Sequence, residues 1–247
     1  MSKTDDYARA LRRLVDWDEY LRTNSGLPGP RGNLELAQAA ARESSWARIA
    51  AWLSLPDEQA KENTPDVFLV FCGVLSLGRL IAAGEHAHLR QLREYASDSR
   101  WRIREAVAMA LQTVGDKDMP FLLNQIESWA AGNWYEQRAV AAGLCEPRLL
   151  QDPRTAKLVI LVLDTITSDL SRSKARKEDG FRVLRQAMAY CWSVAVVAAP
   201  ATGKPAFEKW LPRTDTDVRW VLRQNLKKSR MTRMDPDWVK SCLRHLA

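Results

Sequence analysis

The stretch DSRWRIREAVAMAL at residues 98–111 decides the fold class, because part of it recurs along the chain. Residues 103–111 (IREAVAMAL), 136–144 (EQRAVAAGL) and 218–226 (VRWVLRQNL) superpose without gaps, and each copy closes on Leu. The first two copies start 33 residues apart, and a polar turn precedes each copy. This spacing is typical of stacked helix pairs, because one pair alone cannot bury its apolar face.

Apolar residues in the rest of the chain also recur at helical spacing. The periodicity predicts helices over residues 7–21 and 34–53. Helix starts are predicted where a capping side chain precedes proline, at Thr64-Pro65, Asp152-Pro153 and Asp235-Pro236.

Clusters of Gly and Pro, among them residues 25–33 and 200–205, predict breaks between helices. Gly and Pro number only 11 each, too few for the many turns of a sandwich or barrel. We therefore expect an all-α chain of roughly a dozen short helices.

The residues Asp98 to Ala106 resemble the second-helix signature of HEAT repeats, in which a turn Asp precedes an amphipathic helix that opens with an apolar residue and Arg. The resemblance is good over 96–144 and 213–226, weaker over 153–200, and poor before Gly84.

This resemblance implies a right-handed α-solenoid of about six HEAT-like helix pairs. We expect a single domain over 1–247, with divergent N-terminal helices at 1–84 and HEAT-like repeats at 85–247. The motif predicts architecture and says almost nothing about function.

The formal net charge of +7 is concentrated towards the C-terminal end. Residues 213–247 contain nine Lys and Arg against four Asp and Glu, and residues 171–185 contain six against two. Arg219, Arg223 and Lys227 recur at i, i+4 and i+8, so they form one row on a helix. Such a row can follow a phosphate backbone, and Lys228 and Arg230 continue it past the helix end.

A second group of candidates belongs to the HEAT-like helices. Arg100, Arg104 and Arg138 are expected to converge on the concave face, since second helices line that face of a solenoid. Trp101 and Trp220 each lie beside arginine, where an aromatic face can stack on a base or sugar.

Structural roles are the alternative for both residue types. Arginines at these HEAT positions commonly bond an acid of the neighbouring repeat, and Asp98, Asp116 and Asp215 are available partners. Five other tryptophans have apolar neighbours and are predicted to be core residues: Trp46, Trp52, Trp129, Trp192 and Trp210.

Three fragments resemble the bacterial alkylpurine DNA glycosylases built from HEAT-like repeats. Trp101 with Glu105 resembles that family's tryptophan and catalytic carboxylate, Gln137-Arg138-Ala139 its phosphate-contacting segment, and residues 220–223 (WVLR) the segment with its second cleft tryptophan. The resemblance implies that Glu105 stabilises a cationic sugar as an alkylated base departs. The separation of Arg138 from Trp220, about 80 residues, leaves room for an extra repeat.

No cofactor and no metal site is predicted. His86 and His88 are two residues apart and point in different directions on a helix, and His245 is alone. Residues 25–33 (SGLPGPRGN) contain regularly spaced glycines but lack the Gly-Lys-Ser/Thr of a nucleotide loop, so we expect a rigid turn that delivers Asn33 as a helix cap.

The four cysteines form no CxxC pair and are expected to be free and buried. The N-terminal sequence lacks an apolar signal region, and no uncharged stretch is predicted to span a membrane. These features favour a cytoplasmic protein.

The sequence thus favours a HEAT-repeat binding module with nucleic acid, DNA rather than RNA, on a basic concave surface. The alternative is a scaffold that holds a protein partner in the same groove, and the third possibility is an alkylpurine DNA glycosylase. Whether the protein catalyses a reaction is open at this point.

Overall fold

The computed structural model describes residues 2–246, and this part of the chain contains helices and no strand. Helix accounts for 74% of the chain, in 15 α-helices. The prediction of an all-α chain is therefore confirmed. The chain divides into two compact units, one up to Lys117 and one from Asp118 onwards, and each is described by itself. The expected single domain over 1–247 stays a prediction.

The first unit has one long helix, α5, as its centre. Its helices are α1 (Lys3–Leu11), α2 (Asp18–Asn24), α3 (Leu34–Glu43), α4 (Trp46–Leu53), α5 (Pro65–Ala82), α6 (His88–Tyr95) and α7 (Trp101–Lys117). Helices α2, α3, α4, α6 and α7 all pack against α5, and α1 packs on α3. Because neighbours surround it, α5 buries residues on all sides.

Helix α5 is, in the described part of the chain, the one helix long and apolar enough to cross a membrane, with a mean hydropathy of 1.7 over 18 residues. Within the protein, 78% of that window is buried. A core helix of a folded protein meets the same criteria of length and composition, so the finding is weak evidence for a membrane span.

The second unit is centred on α11. Its helices are α8 (Met119–Ala130), α9 (Trp134–Leu144), a short 3₁₀ helix (Pro147–Leu150), α10 (Pro153–Arg172), α11 (Asp179–Ala198), α12 (Pro200–Glu208), α13 (Thr216–Leu226), α14 (Ser229–Met234) and α15 (Pro236–Leu246). Helix α11 packs against α9 and α13, and also against α10, α12 and α14.

The three helix starts predicted from a cap followed by proline are confirmed at α5, α10 and α15. Asn33 also caps α3 as expected, since its side chain accepts a hydrogen bond from the backbone N–H of Leu36 at 3.1 Å. The four cysteines are free and buried, as predicted.

Both long N-terminal helices predicted from periodicity are interrupted. The helix expected over 7–21 ends at Leu11 and resumes at Asp18, because the Asp16 side chain accepts the Asp18 backbone N–H at 2.9 Å. Val15, one of the apolar residues that give this stretch its helical periodicity, is exposed.

The helix expected over 34–53 breaks between Glu43 and Trp46. Arg79 stabilises this break by donating to the carbonyl oxygens of Ala41 and Ser44 at 2.7 and 3.2 Å, and these acceptors would otherwise be left open at the end of α3.

The break predicted over 200–205 is wrong, because α12 begins at Pro200 and continues through Pro205. Proline at the first position suits a helix start, whereas Pro205 has no backbone N–H and leaves one hydrogen bond of the helix unformed. The complete burial of Phe207 against Trp192 and Trp238 outweighs that loss.

Candidate functional site

The loop at 25–33 and helices α5 and α7 enclose a cavity of about 340 Å³ in the first unit. Gly26 takes a φ of +75°, which favours glycine, and the Asn33 backbone N–H donates to the Ser25 carbonyl at 2.8 Å to close the loop. Arg102 of α7 fixes the other side, because its Nη2 donates to the Gly29 carbonyl at 2.7 Å. The cavity is lined by Leu27, Pro30, Arg31, Gly32, Leu34, Phe68, Phe71, Trp101, Arg102 and Glu105.

Trp101 and Glu105 lie one turn apart at the start of α7, and both line this cavity. Trp101 is 44% exposed, and the Arg102 guanidinium lies over its ring, 4.5 Å from the centroid. Glu105 is half-buried. The resemblance implied that this carboxylate and this tryptophan act in one site, and both residues line the same cavity.

Arg100 and Arg104 are both buried at the turn before α7. Arg100 forms an ion pair with Asp98, with Nη2 donating at 2.7 Å, and this hydrogen bond raises the pKa of Arg100. Arg104 donates to the carbonyl oxygens of Asp98 and Ser99 at 2.6 and 2.8 Å. Both guanidinium groups therefore hold the turn, and we leave both residues out of the proposed binding surface.

The three residues of the predicted basic row have different surroundings in the second unit: Arg219, Arg223 and Lys227. Arg219 donates to the carbonyl oxygen of Leu246 at 2.7 Å, and Arg223 donates to the same oxygen. These two arginines cap the last turn of α15, where unpaired carbonyls attract cations. Lys227 is exposed.

Lys228 and Arg230 lie close to an aromatic ring, Tyr190, that was not among the candidates predicted from the sequence. Tyr190 of α11 is 39% exposed, and Arg230 donates to its hydroxyl at 2.7 Å while its Cζ lies 4.6 Å from the ring centroid. The Lys228 Nζ lies 5.7 Å from the same centroid. We call Tyr190, Lys228 and Arg230 the Tyr190 surface.

A weak sequence signal for Tyr190 exists. Arg182, Gln186 and Tyr190 are spaced four apart, and all three are exposed along α11. This periodicity indicates the solvent-facing side of a helix, although the apolar residues around Tyr190 make the pattern hard to recognise in the sequence.

Trp220 is half-buried beneath an arginine. The Arg185 Cζ lies 4.4 Å from its ring centroid, and Arg185 donates to Asp217 at 2.5 Å. Arg176 also pairs with Asp217, so basic residues of the 171–185 segment are bound to acids at the start of α13. Arg138, on α9 of the same unit, is half-buried.

Among the tryptophans predicted to be buried, Trp46 is 48% exposed and stacks near His88 with centroids 4.7 Å apart. The prediction for Trp46 was wrong, because the helix break before it turns this residue out of the core. The other four are buried, as expected: Trp52, Trp129, Trp192 and Trp210.

Comparison with known proteins finds no match: no family model, no curated protein and no solved structure matches this chain.

Proposed function

We propose that the protein is a nucleic-acid-binding α-solenoid of HEAT-like repeats that takes duplex DNA on the Tyr190 surface. The observation that carries the proposal is an exposed aromatic ring with two cations within 6 Å of its centroid, neither of which forms an ion pair with any residue of the described part. Lys227 and Arg233 flank these cations and likewise have no ionic partner between residues 2 and 246.

The chemistry of this surface suits a nucleic acid. Unpaired Lys and Arg attract phosphates and release counterions, which is the main source of affinity in such complexes. An aromatic ring with a polar edge adds apolar contact with a backbone sugar, which depends on no particular base sequence. Arg219 and Arg223 contribute by fixing α15 beside α13.

The helix order supports the solenoid part of the proposal. Helices α9, α11 and α13 pack in succession, while α8 packs on α9 and α10 on α11. Successive contacts of this kind, between helices that alternate along the chain, are typical of stacked pairs.

The test is a comparison of two charge-matched double variants. Lys228→Glu with Arg230→Glu is expected to weaken binding of a 20-base-pair duplex at least about tenfold and to reduce the slope of log K against log salt by about 2, because two phosphate contacts are lost. The control is Arg154→Glu with Lys157→Glu, two exposed residues of α10 in the same unit. Fluorescence anisotropy at several salt concentrations measures both quantities.

Equal weakening by both pairs would mean that net charge alone governs binding, and the Tyr190 surface would lose its role. Absence of parent binding at low salt would favour the protein scaffold instead. The exposed side chains of Leu158 and Leu161 beside a groove of about 440 Å³ between α8 and α10 would then be its first candidate surface.

Excision of alkylated purines is a second candidate function, favoured by one observation: Trp101 and Glu105 line the same cavity. A carboxylate in a partly apolar site stabilises a cationic sugar well. Glu105→Gln removes the charge and keeps the shape, so it is expected to abolish release of 7-methylguanine from alkylated DNA. Base release is measured at saturating protein so that affinity does not contribute; equal release by variant and parent would place catalysis elsewhere.

A further inference from the structure

The cavity beside the 25–33 loop has the composition of a ligand pocket. Leu27, Leu34, Phe68 and Phe71 supply an apolar wall, and one carboxylate and two guanidinium groups complete the lining. The space has a volume of about 340 Å³ and opens to solvent beside the exposed side chains of Arg31 and Trp101. It lies at the lower end of the range for small-molecule sites, roughly 300–1,000 Å³.

A guanidinium of the lining has a donor group that the protein does not use. The Arg102 Nε lies 3.2 Å from the Glu62 carboxylate and Nη2 donates to the Gly29 carbonyl and to Asn63, whereas Nη1 forms no hydrogen bond with residues 2–246. A guanidinium carries five N–H donors, so a ligand acceptor can pair with those of Nη1. Arg102 and Glu105 are three residues apart on α7 and therefore share a face.

We propose that this cavity binds a guanine base, either of a free nucleotide or of an unpaired residue in a nucleic acid. Guanine is the one common base whose pairing edge presents an acceptor followed by two donors. Glu105 accepts the N1 and N2 hydrogens, Arg102 donates towards O6, and the apolar wall and Trp101 cover the ring faces. A carboxylate has about four lone-pair sites, so these contacts are compatible with others that Glu105 makes within the protein.

The phosphate of the same nucleotide has a partner at the rim. Arg31 is exposed, lies on the 25–33 loop and lines the cavity. The inference rests on the proposed function only in so far as the guanine belongs to a nucleic acid, because a free guanine nucleotide satisfies the same groups.

The test uses the intact protein and two kinds of probe. Isothermal titration calorimetry with GMP, IMP and AMP is expected to give affinities in that order, with GMP at least about tenfold tighter than AMP, because IMP lacks one donor and AMP presents an acceptor at N1. A thymidine oligomer with one central guanine is compared with the all-thymidine oligomer. Tighter binding of the guanine oligomer than of the all-thymidine oligomer identifies the nucleic acid as a source of the base, whereas equal binding of the two oligomers by a protein that selects GMP identifies the free nucleotide.

Glu105→Gln is expected to reduce the GMP preference about tenfold, whereas Glu58→Gln, at an exposed carboxylate outside the cavity lining, leaves it unchanged. Circular dichroism of both variants checks folding. The selectivity of the parent protein among the three nucleotides is a separate test of the proposal and requires no variant. Equal or absent binding of GMP and AMP by the parent overturns the proposal, as does an equal loss in the two variants. Duplex binding that persists without guanine selectivity refutes only this inference, since the duplex contacts lie on the Tyr190 surface.

Discussion

A single buried amide joins α11 and α13 in the second unit. Asn225 is fully buried, accepts the Ser193 backbone N–H at 2.8 Å, and donates to the carbonyl oxygens of Met188 and Val221 at 2.8 Å each. All of its hydrogen-bonding groups are therefore used, which makes this polar group compatible with an apolar surrounding.

Asn225→Leu is expected to lower the free energy of unfolding by about 2 to 4 kcal/mol, because it removes three buried hydrogen bonds and places an apolar side chain against the polar groups that formed them. Urea denaturation measures the change. Gln224→Leu, at the neighbouring half-buried position, is the control and is expected to change stability by less than about 0.5 kcal/mol. A loss below about 1 kcal/mol for the Asn225 variant would show that water replaces the amide.

The folding stability of the same region depends on pH through the carboxyl group of Asp217. Burial by itself raises the pKa of the Asp217 carboxyl, and hydrogen bonds from Arg185 and Arg176 outweigh that effect, so the pKa lies below the ordinary value of 3.8. A carboxyl with a depressed pKa in the folded state stabilises the protein above its unfolded pKa, and this contribution is lost as the pH falls through the folded value.

We expect Asp217→Asn to destabilise the protein at neutral pH and to flatten the decline of unfolding free energy below about pH 4. Urea denaturation between pH 2.5 and 7 follows both effects. Asp237→Asn, at an exposed carboxylate of α15, controls for the loss of one charge. If the free energy of unfolding falls equally below about pH 4 for the parent and for Asp217→Asn, this linkage is ruled out.

Among the elements, α5 and α7 come into close backbone contact at Gly78. A Cβ added to Gly78 would lie 2.6 Å from Cα and 2.7 Å from the carbonyl oxygen of Ala110, both backbone atoms that cannot move alone. The absence of a side chain at residue 78 thus sets the separation of the two helices.

Gly78→Ala is expected to lower the free energy of unfolding by about 2 to 3 kcal/mol, because it forces α5 and α7 apart. Gly84→Ala is the matched change, because Gly84 has a φ of +102° but nothing within 4 Å of its added Cβ. It is expected to cost about 1 kcal/mol through backbone strain alone. Thermal unfolding of both variants distinguishes an effect of packing from an effect of backbone strain. An equal loss of stability in the two variants would contradict the close-packing argument.

Helix starts were predictable where a capping side chain and proline act locally, as at Asp152-Pro153, where the Asp152 side chain accepts the Arg154 backbone N–H. The helix breaks at Asp16 and Ser44 could not be predicted in this way. The first depends on the Asp16 side chain accepting a backbone N–H, and the second depends on Arg79, which lies 35 residues beyond Ser44 in the chain. Helix α12 was missed because tertiary burial of Phe207 overrides the local effect of Pro205.

At the scale of the whole molecule, the candidate site could be predicted only in part. Helical spacing was enough to place Glu105 beside Trp101. The contribution of residues 25–33 depends on chain folding, and the capping roles of Arg219 and Arg223 depend on where α15 ends. A linear charge count cannot tell a cation that caps a helix from one that faces solvent.

The buried thiols report on opening of both units, since Cys72 lies in the first and the other three lie in the second. Burial raises the pKa of Cys72 and, together with contact to Cys191, that of Cys145; burial also raises the pKa of Cys242 to about 11. We expect slow reaction with a thiol reagent at pH 8 in the native state and rapid labelling of all four thiols in guanidinium. Rapid labelling of a thiol without denaturant would reveal local opening around it.

The close contact at Gly78 also limits how related sequences can diverge. Its obstacles are the backbone of Ala110, so no substitution at position 110 creates room for a larger residue, and position 78 is expected to remain glycine throughout a lineage. Gly73 differs, because the nearest atom to its added Cβ is the Leu53 side-chain tip at 2.8 Å. Positions 73 and 53 can therefore exchange volume over evolution, whereas position 78 cannot.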